Sequence, residues 1–363
     1  GGDGDEGSAG APTTVPATFP GESWGTVGPV EAGFDPDGLA RLADAAEAAG
    51  SRCLVVVRDG KVVLEEYWQG SGPDVAQEAW SVTKSVTSTL VGIARDEGHL
   101  DLSDPAADHI PEWRGTPAEA VTIENLLSND SGRHWDLGTD YAEMALGARD
   151  KSAFAIGLAQ DHPPGEVWAY NNSAIQTLSP ILASATGEDP VDYARTRLFE
   201  PLDMDHTRLS TDGAGNAMTY AGLQTTCLDL ARFGHLWLHD GNWAGEQIVS
   251  ADYVEMATGR PSTPLNAAYG YLWWINHEGP IAGPLLATTG APDDATGDSA
   301  PDTRLVPGAP DDAFWALGMN NQMVAVLPSV DVVAVRLGAK PPAEAPFTQT
   351  ELTTGVLDAL IEP

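Results

Sequence analysis

The sequence predicts an α+β fold: an antiparallel sheet flanked by helices, built from both chain ends, with a mainly helical domain inserted between them. Three observations predict it. Two apolar β-runs stand early, around Asp59-Gly60. A block of short helical patterns then fills residues 99–250. Strand patterns return only late, before a closing helix. At 363 residues the chain can bury a sizeable core, in one large domain or two smaller ones.

The elements follow in order. Residues 1–23 are rich in Gly, Ala, Pro, Ser and Thr and cannot build a core, so they read as a flexible tether. A processed secreted protein would begin this way, as would a bacterial lipoprotein after loss of its lipidated cysteine. The expected location is therefore secreted, periplasmic or cell-surface; a trimmed chain is the plainer alternative. Residues 35–50 have the spacing of an amphipathic helix closed by Gly50. Cys53–Arg58 and Lys61–Tyr67 are apolar β-runs, and Asp-Gly between two such runs is a strong hairpin signal. Ser81 to Glu97 is helical, ending at Gly98. The sheet domain is expected over 24–98 and 251–363, and the helical domain over 99–250. Residues 290–313 are rich in Pro, Asp and Gly and read as a long, solvated acidic loop whose spacing fits no calcium loop.

Composition removes several function classes. Lys and Arg number 18 against 53 Asp and Glu, a formal net charge of −35. Such a surface repels nucleic acid and anionic membranes. The acidity admits two readings: a preference for cationic substrates, or solubility in a salty medium. No run of 18 apolar residues is present to form a membrane-spanning helix. The two cysteines, Cys53 and Cys227, also admit two readings: a disulfide if the chain is exported, or two buried small hydrophobes.

Only four lysines occur, and one of them, Lys84, follows Ser81 by three residues at the start of a helix. That spacing puts both side chains on one face. A serine hydroxyl needs a base to become a nucleophile, and a lysine serves once burial or positive neighbours lower its pKa. A helix N-terminus adds unpaired N–H groups and partial positive charge, which favour an oxyanion and oppose protonation of the lysine. Against this stands a capping serine beside a surface lysine, a common arrangement for the bare motif.

The surroundings of the motif are more specific. Residues 78–113, residues 121–136, the Tyr170-Asn171-Asn172 triplet with its PPGEVWAY lead-in, and residues 222–250 stand in one order. Over about residues 24–338 the chain resembles the serine β-lactamase-like and penicillin-binding family, in its class C, esterase and 6-aminohexanoate-oligomer hydrolase branch. The resemblance implies a β-lactamase/transpeptidase-like fold and an acyl-enzyme on Ser81. Lys84 would take the serine proton, and Tyr170 would act as general acid and base. Asn172 would orient Lys84 or a substrate carbonyl, and the Ser81 and Gln322 N–H groups would form the oxyanion hole. It implies no cofactor and no metal. Its partner is a small ester or amide, and the oligomeric state is left open.

One strand departs from the family pattern. Where the family carries Lys-Thr-Gly, or His-x-Gly followed by Gln, this chain reads Gly318-Met319-Asn320-Asn321-Gln322. Met319 replaces the cation that helps hold a substrate carboxylate, and Asn321 replaces the glycine. β-Lactamase or D-amino-acid peptidase activity is thereby disfavoured, while ester and amide hydrolysis remain open, as does a penicillin-recognising protein that does not turn over. Asn320 and Asn321 are expected at the substrate.

Other constellations are weaker. No G-x-S-x-G elbow is present. His235 and His239 stand at i and i+4 without the glutamate of a zinc-protease helix, and read as a structural or surface pair. His134, beside Trp135 and Asp136, lies in a loop that the family places near the site mouth, either touching substrate or with no special role. Trp273, Trp274 and Trp315 read either as cleft walls or, as strand aromatics more often are, as core; Trp273 is the substrate-binding candidate among them.

Overall fold

Asp59 and Gly60 turn the chain at φ 48° and 70°, both in the left-handed region. That geometry is what lets two twisted strands pair across a two-residue loop. In this computed structural model, which describes residues 17–289 and 304–361, they join β1 (Ser51–Arg58) to β2 (Lys61–Tyr67). Before them, α1 (Pro36–Ala48) is capped by the Asp35 carboxylate, which accepts from the Asp37 and Gly38 amides. Then come β3 (Gln77–Glu78) and α2 (Val82–Asp96).

The stretch from residue 99 to 250 consists of short helices joined by loops, with a few short strands. It holds α3 (Ile123–Ser128), a π-helix (Gly138–Gly147), α4 (Lys151–Gly157), α5 (Asn172–Gln176), α6 (Leu178–Thr186) and α7 (Pro190–Ala194). Short strands β4 (Arg208–Leu209) and β5 (Leu223–Thr225) precede α8 (Cys227–Leu238), and β6 (Asn242–Trp243) and β7 (Glu246–Gln247) follow it. The chain ends with α9 (Ala251–Thr258), β8 (Trp274–Ile275), β9 (Phe314–Gly318), β10 (Gln322–Leu327), β11 (Val332–Gly338) and α10 (Gln349–Ala359).

The main sheet runs β2-β1-β11-β10-β9-β8, every pair antiparallel. The early hairpin thus pairs with the last strand, so both chain ends build one sheet. Strands β10 and β11 are buried throughout apart from Gly338, because helices cover both faces. On one face Gly234 brings α8 so close that a Cβ there would lie 2.6 Å from Val333 and 3.0 Å from Val324. On the other, the Trp315 indole donates to Thr353 of α10 at 2.9 Å. A disulfide joins Cys53 of β1 to Cys227 at the start of α8, stapling sheet to helix across 174 residues.

Two segments differ from expectation. Of the tether, residues 1–16 lie outside the described residues, but 17–23 are docked. The Thr18 carbonyl lies 2.8 Å from His235 Nε2, Phe19 packs on His235, His239 and Trp243, and Arg232 holds the Gly21 and Glu22 carbonyls. His235 and His239 are therefore a structural pair on α8 with an aromatic partner. Of the acidic loop, residues 290–303 also lie outside the described residues. The remainder, 304–313, is pinned at its backbone, because the buried Asn276 amide bonds Val306, Ala309 and Pro310, while the Asp311 and Asp312 side chains stay exposed. No helix among the described residues is long and apolar enough to cross a membrane.

Candidate active site

Ser81 is the N-cap of α2, yet its hydroxyl makes no capping hydrogen bond. Its backbone is already helical, and Trp80 before it is held at φ 49°, an unfavourable conformation for a bulky residue. The turn is fixed from both sides. The Ala79 amide donates to the Leu223 carbonyl (3.0 Å), and Thr83 Oγ1 bridges the Trp80 carbonyl and the Leu223 amide (2.5 and 2.9 Å). The serine is thus presented rather than used for capping, and its hydroxyl is free for chemistry.

Lys84, one turn on, is 1 % exposed. Its Nζ lies 2.7 Å from Ser81 Oγ, 2.6 Å from Asn172 Oδ1 and 3.0 Å from the Tyr220 carbonyl oxygen. Burial pushes this amine down to about 7, against an opposing pull from Asp140. Tyr170 is buried beside it, with Nζ 4.6 Å from its ring centroid. Burial holds the Tyr170 hydroxyl well above its ordinary value despite its polar neighbours Ser81 and Trp274, so it is a neutral phenol at physiological pH. The helix α5 supplies Asn172, and Asn171 caps that helix through the Ala174 amide (2.9 Å). Tyr170 and Asn172, far along the chain from Ser81 and Lys84, meet that pair here.

A cavity of about 430 Å³ opens over Ser81. Its walls include Tyr141, Tyr170, Trp274, Ile281, Leu285 and Met319, and no charged residue lines it among the described residues. Gly318 forms the wall beside the Ser81 backbone. A Cβ there would fall 2.4 Å from the Ala79 carbonyl and 3.1 Å from the Ser81 amide nitrogen, so only glycine lets β9 approach so closely. Neither the Ser81 nor the Met319 amide has a hydrogen-bond acceptor among the described residues. Asn320 and Asn321 turn the β9–β10 hairpin at φ 63° and 58°. Asparagine tolerates this left-handed geometry, which is why it can stand where the family has glycine.

Several expectations need correction. Gln322 lines the cavity but stands opposite Gly318 within the sheet, and its side-chain amide is spent on the Gly338 backbone at 2.7 and 2.8 Å. The strand reaches Ser81 through Gly318 instead, which makes Met319, not Gln322, the next amide available there. Asn321 lines the cavity as well, but its amide donates to the Phe347 carbonyl at 2.9 Å. Trp273 is core, 0 % exposed, with its ring stacked on Phe233; its neighbour Trp274 is the one at the cavity, 5.6 Å from the Tyr170 ring. Trp315 is core too. His134 does not line the cavity. Its imidazole is held by Asp136 (3.0 Å) and Asp161 (2.7 Å), and only its backbone serves the site, accepting from Asn171 Nδ2 at 3.2 Å.

Sequence reasoning missed Asp140, the Tyr220 carbonyl and the amide after Gly318. Only the last left a signal, a glycine closing a buried strand.

The whole arrangement has known counterparts. A family model described as Beta-lactamase matches residues 39–353. The chain belongs to the beta-lactamase family. It is a serine hydrolase of that family. It is 28 % identical over 282 residues to a 6-aminohexanoate-dimer hydrolase of Paenarthrobacter ureafaciens, covering 68 % of this chain and 71 % of that one. Two solved structures share its fold. One, from Bacillus anthracis and named as a candidate 6-aminohexanoate-dimer hydrolase, superposes with a TM-score of 0.68 at 22 % identity, covering 87 % of this chain and 80 % of the other. The second, a candidate beta-lactamase from Bacteroides dorei DSM 17855, gives 0.70 at 18 % identity, covering 91 % and 100 %.

Proposed function

We propose that this serine hydrolase cleaves small neutral esters and linear amides through an acyl-enzyme on Ser81. One observation carries the reading. Lys84 Nζ has three partners, and two of them, the Asn172 Oδ1 and Tyr220 carbonyl oxygens, can only accept. A neutral amine has two N–H donors and one lone pair. Both donors are spent on those oxygens, so the lone pair is left for the Ser81 hydroxyl at 2.7 Å. Lys84 is thereby set as the base.

The steps follow. Lys84 takes the Ser81 proton as Oγ attacks the acyl carbon. The oxyanion forms against the Ser81 amide at the start of α2 and the Met319 amide at the end of β9. Tyr170, kept protonated by burial, gives its proton to the leaving group and regains one from Lys84. Water then cleaves the acyl-enzyme by the reverse relay.

The uncharged, largely apolar cavity supports neutral substrates over carboxylate-bearing ones, because a buried carboxylate without a partner is costly. The relative named as a 6-aminohexanoate-dimer hydrolase supports a linear amide alongside esters. The Cys53–Cys227 disulfide supports a place outside the reducing cytosol, as for an exported protein. Side-by-side kinetics with p-nitrophenyl butyrate, a linear aminohexanoate dimer capped as N-acetyl and methyl amide so that it carries no charge, and nitrocefin test the proposal. Many turnovers of ester or amide and weak nitrocefin cleavage are expected. Nitrocefin as the preferred substrate, or a one-equivalent burst without turnover, would overturn it.

A further inference from the structure

Asp140 lies in the π-helix, 1 % exposed, and every hydrogen bond to its carboxylate comes from two residues of α5. Oδ2 accepts from the Asn172 amide (3.1 Å) and from Asn172 Nδ2 (2.9 Å). Oδ1 accepts from the Ser173 amide (2.8 Å) and the Ser173 hydroxyl (2.7 Å). Burial pushes this carboxyl above its ordinary value, but the donors of Ser173 and Asn172 and the charge of Lys84 pull the other way, and four donors on two oxygens suit the ionised acid; no cation touches it among the described residues.

An asparagine amide has a donor end and an acceptor end of nearly the same shape. What decides its orientation is the polarity of its neighbours. An ionised carboxylate only accepts, so it fixes the NH₂ end of Asn172 on Asp140 and the Oδ1 end on Lys84. With the amide flipped, Nδ2 would face Lys84 and need the amine lone pair as its acceptor. That lone pair would then be lost to Ser81. We propose that Asp140 is a positioning residue for the Ser81–Lys84 pair, acting through Asn172 to keep the lysine lone pair on the serine. This deepens, and rests on, the acyl-enzyme mechanism above.

The two groups also sense each other's charge. Lys84 is faced by Ser81 of its own helix, by Asn172 of α5, by the Tyr220 carbonyl and by the Tyr170 ring. Asp140 is faced by Asn172 and Ser173, and it acts on Tyr141, Tyr170, Tyr220 and Lys84. Its negative charge holds the Lys84 amine higher than burial alone would. Its removal must move the acidic limb of activity to lower pH while the rate falls, a combination that loss of structure does not give.

The experiment compares Asp140→Asn with a swap, Asp140→Asn together with Asn172→Asp, using p-nitrophenyl butyrate from pH 5 to 9. The single variant can turn its amide toward Asn172 in either sense. The swap again gives Lys84 a fixed acceptor. Expected for Asp140→Asn is a kcat about 10- to 100-fold lower, with KM within about twofold, and an acidic limb at lower pH. The swap should recover about tenfold of the rate and return the limb upward. Unchanged kcat in Asp140→Asn, or lost kcat with an unmoved limb and no recovery in the swap, would overturn the role. Should Asp140→Asn not fold, the swap decides alone: activity with a limb at or above that of the unaltered enzyme upholds the role, and a folded inactive swap refutes it. Fluorophosphonate labelling of the unaltered enzyme is read alongside. A missing Ser81 label sinks the acyl-enzyme itself, whereas a label with an unmoved pH profile sinks only the part given to Asp140.

Discussion

The two sides of the cavity are built differently. At the α2 end, Ser81, Lys84 and Asn172 are locked by short hydrogen bonds, with Tyr170 buried beside them. At the β9 end, the wall mixes the hairpin amides of Asn320, Asn321 and Gln322 with apolar side chains of the hairpin and the residue 281–285 loop, and of these Leu285 and Met319 stand 58 % and 48 % exposed. The first side is over-determined, so a single atom out of place is costly. On the second, Gln322, Asn321 and Arg336 hold the hairpin backbone, but the exposed Leu285 and Met319 side chains have no hydrogen bonds to break, so those two can change without harm to the first. Chemistry and selectivity are therefore separable in this molecule.

The largest effect is expected on the locked side. Ser81→Ala and Lys84→Met should each lower kcat by at least about 10⁴-fold, and the double variant should be no worse than either alone, since the pair acts as a unit. In the unaltered enzyme, kcat/KM should rise with pH through about 7, because the base works only as the neutral amine. Steady-state kinetics from pH 5 to 9 check both.

Tyr170→Phe should lower kcat/KM, which reports acylation, by about 10²- to 10⁴-fold for an amide and distinctly less for a p-nitrophenyl ester, whose leaving group needs no proton. Equal losses on both would remove the general acid from Tyr170.

On the apolar side, Met319→Lys should leave kcat for neutral esters within about twofold. It should raise kcat/KM for a hemisuccinate ester by about tenfold, roughly one charge contact at a half-exposed site. Competition between the two esters measures it. A fall for both would show that the two sides are not separable.

Furthest from the cavity, reduction of Cys53–Cys227 should cost between about 2 and 5 kcal/mol of stability, because the bond closes a long loop. A melt with and without reductant should shift by several degrees, with kcat at 25 °C unchanged.

What could be read from sequence divides along the same line. Asp59-Gly60 between β-runs and a lysine three residues after a serine are local signals, and the helix and hairpin geometry they imply is present. Trp80 at positive φ, the Tyr220 carbonyl on Lys84 and Asp140 behind Asn172 depend on contacts between distant segments. No periodicity encodes them. The choice between Trp273 and Trp274 turned on a one-residue difference at a two-residue strand, which decides which ring meets Phe233 and which meets Tyr170. The motif points to the Gln322 amide, and only the hairpin register shows that this residue stands opposite Gly318 within the sheet.

Ser81 as the acylated residue is tested most directly by peptide mass spectrometry after a fluorophosphonate probe. The expected result is a single adduct on the peptide holding Ser81, formed faster as pH rises through about 7 and absent from Ser81→Ala. An adduct on any other residue, or full hydrolysis by Ser81→Ala, would contradict it.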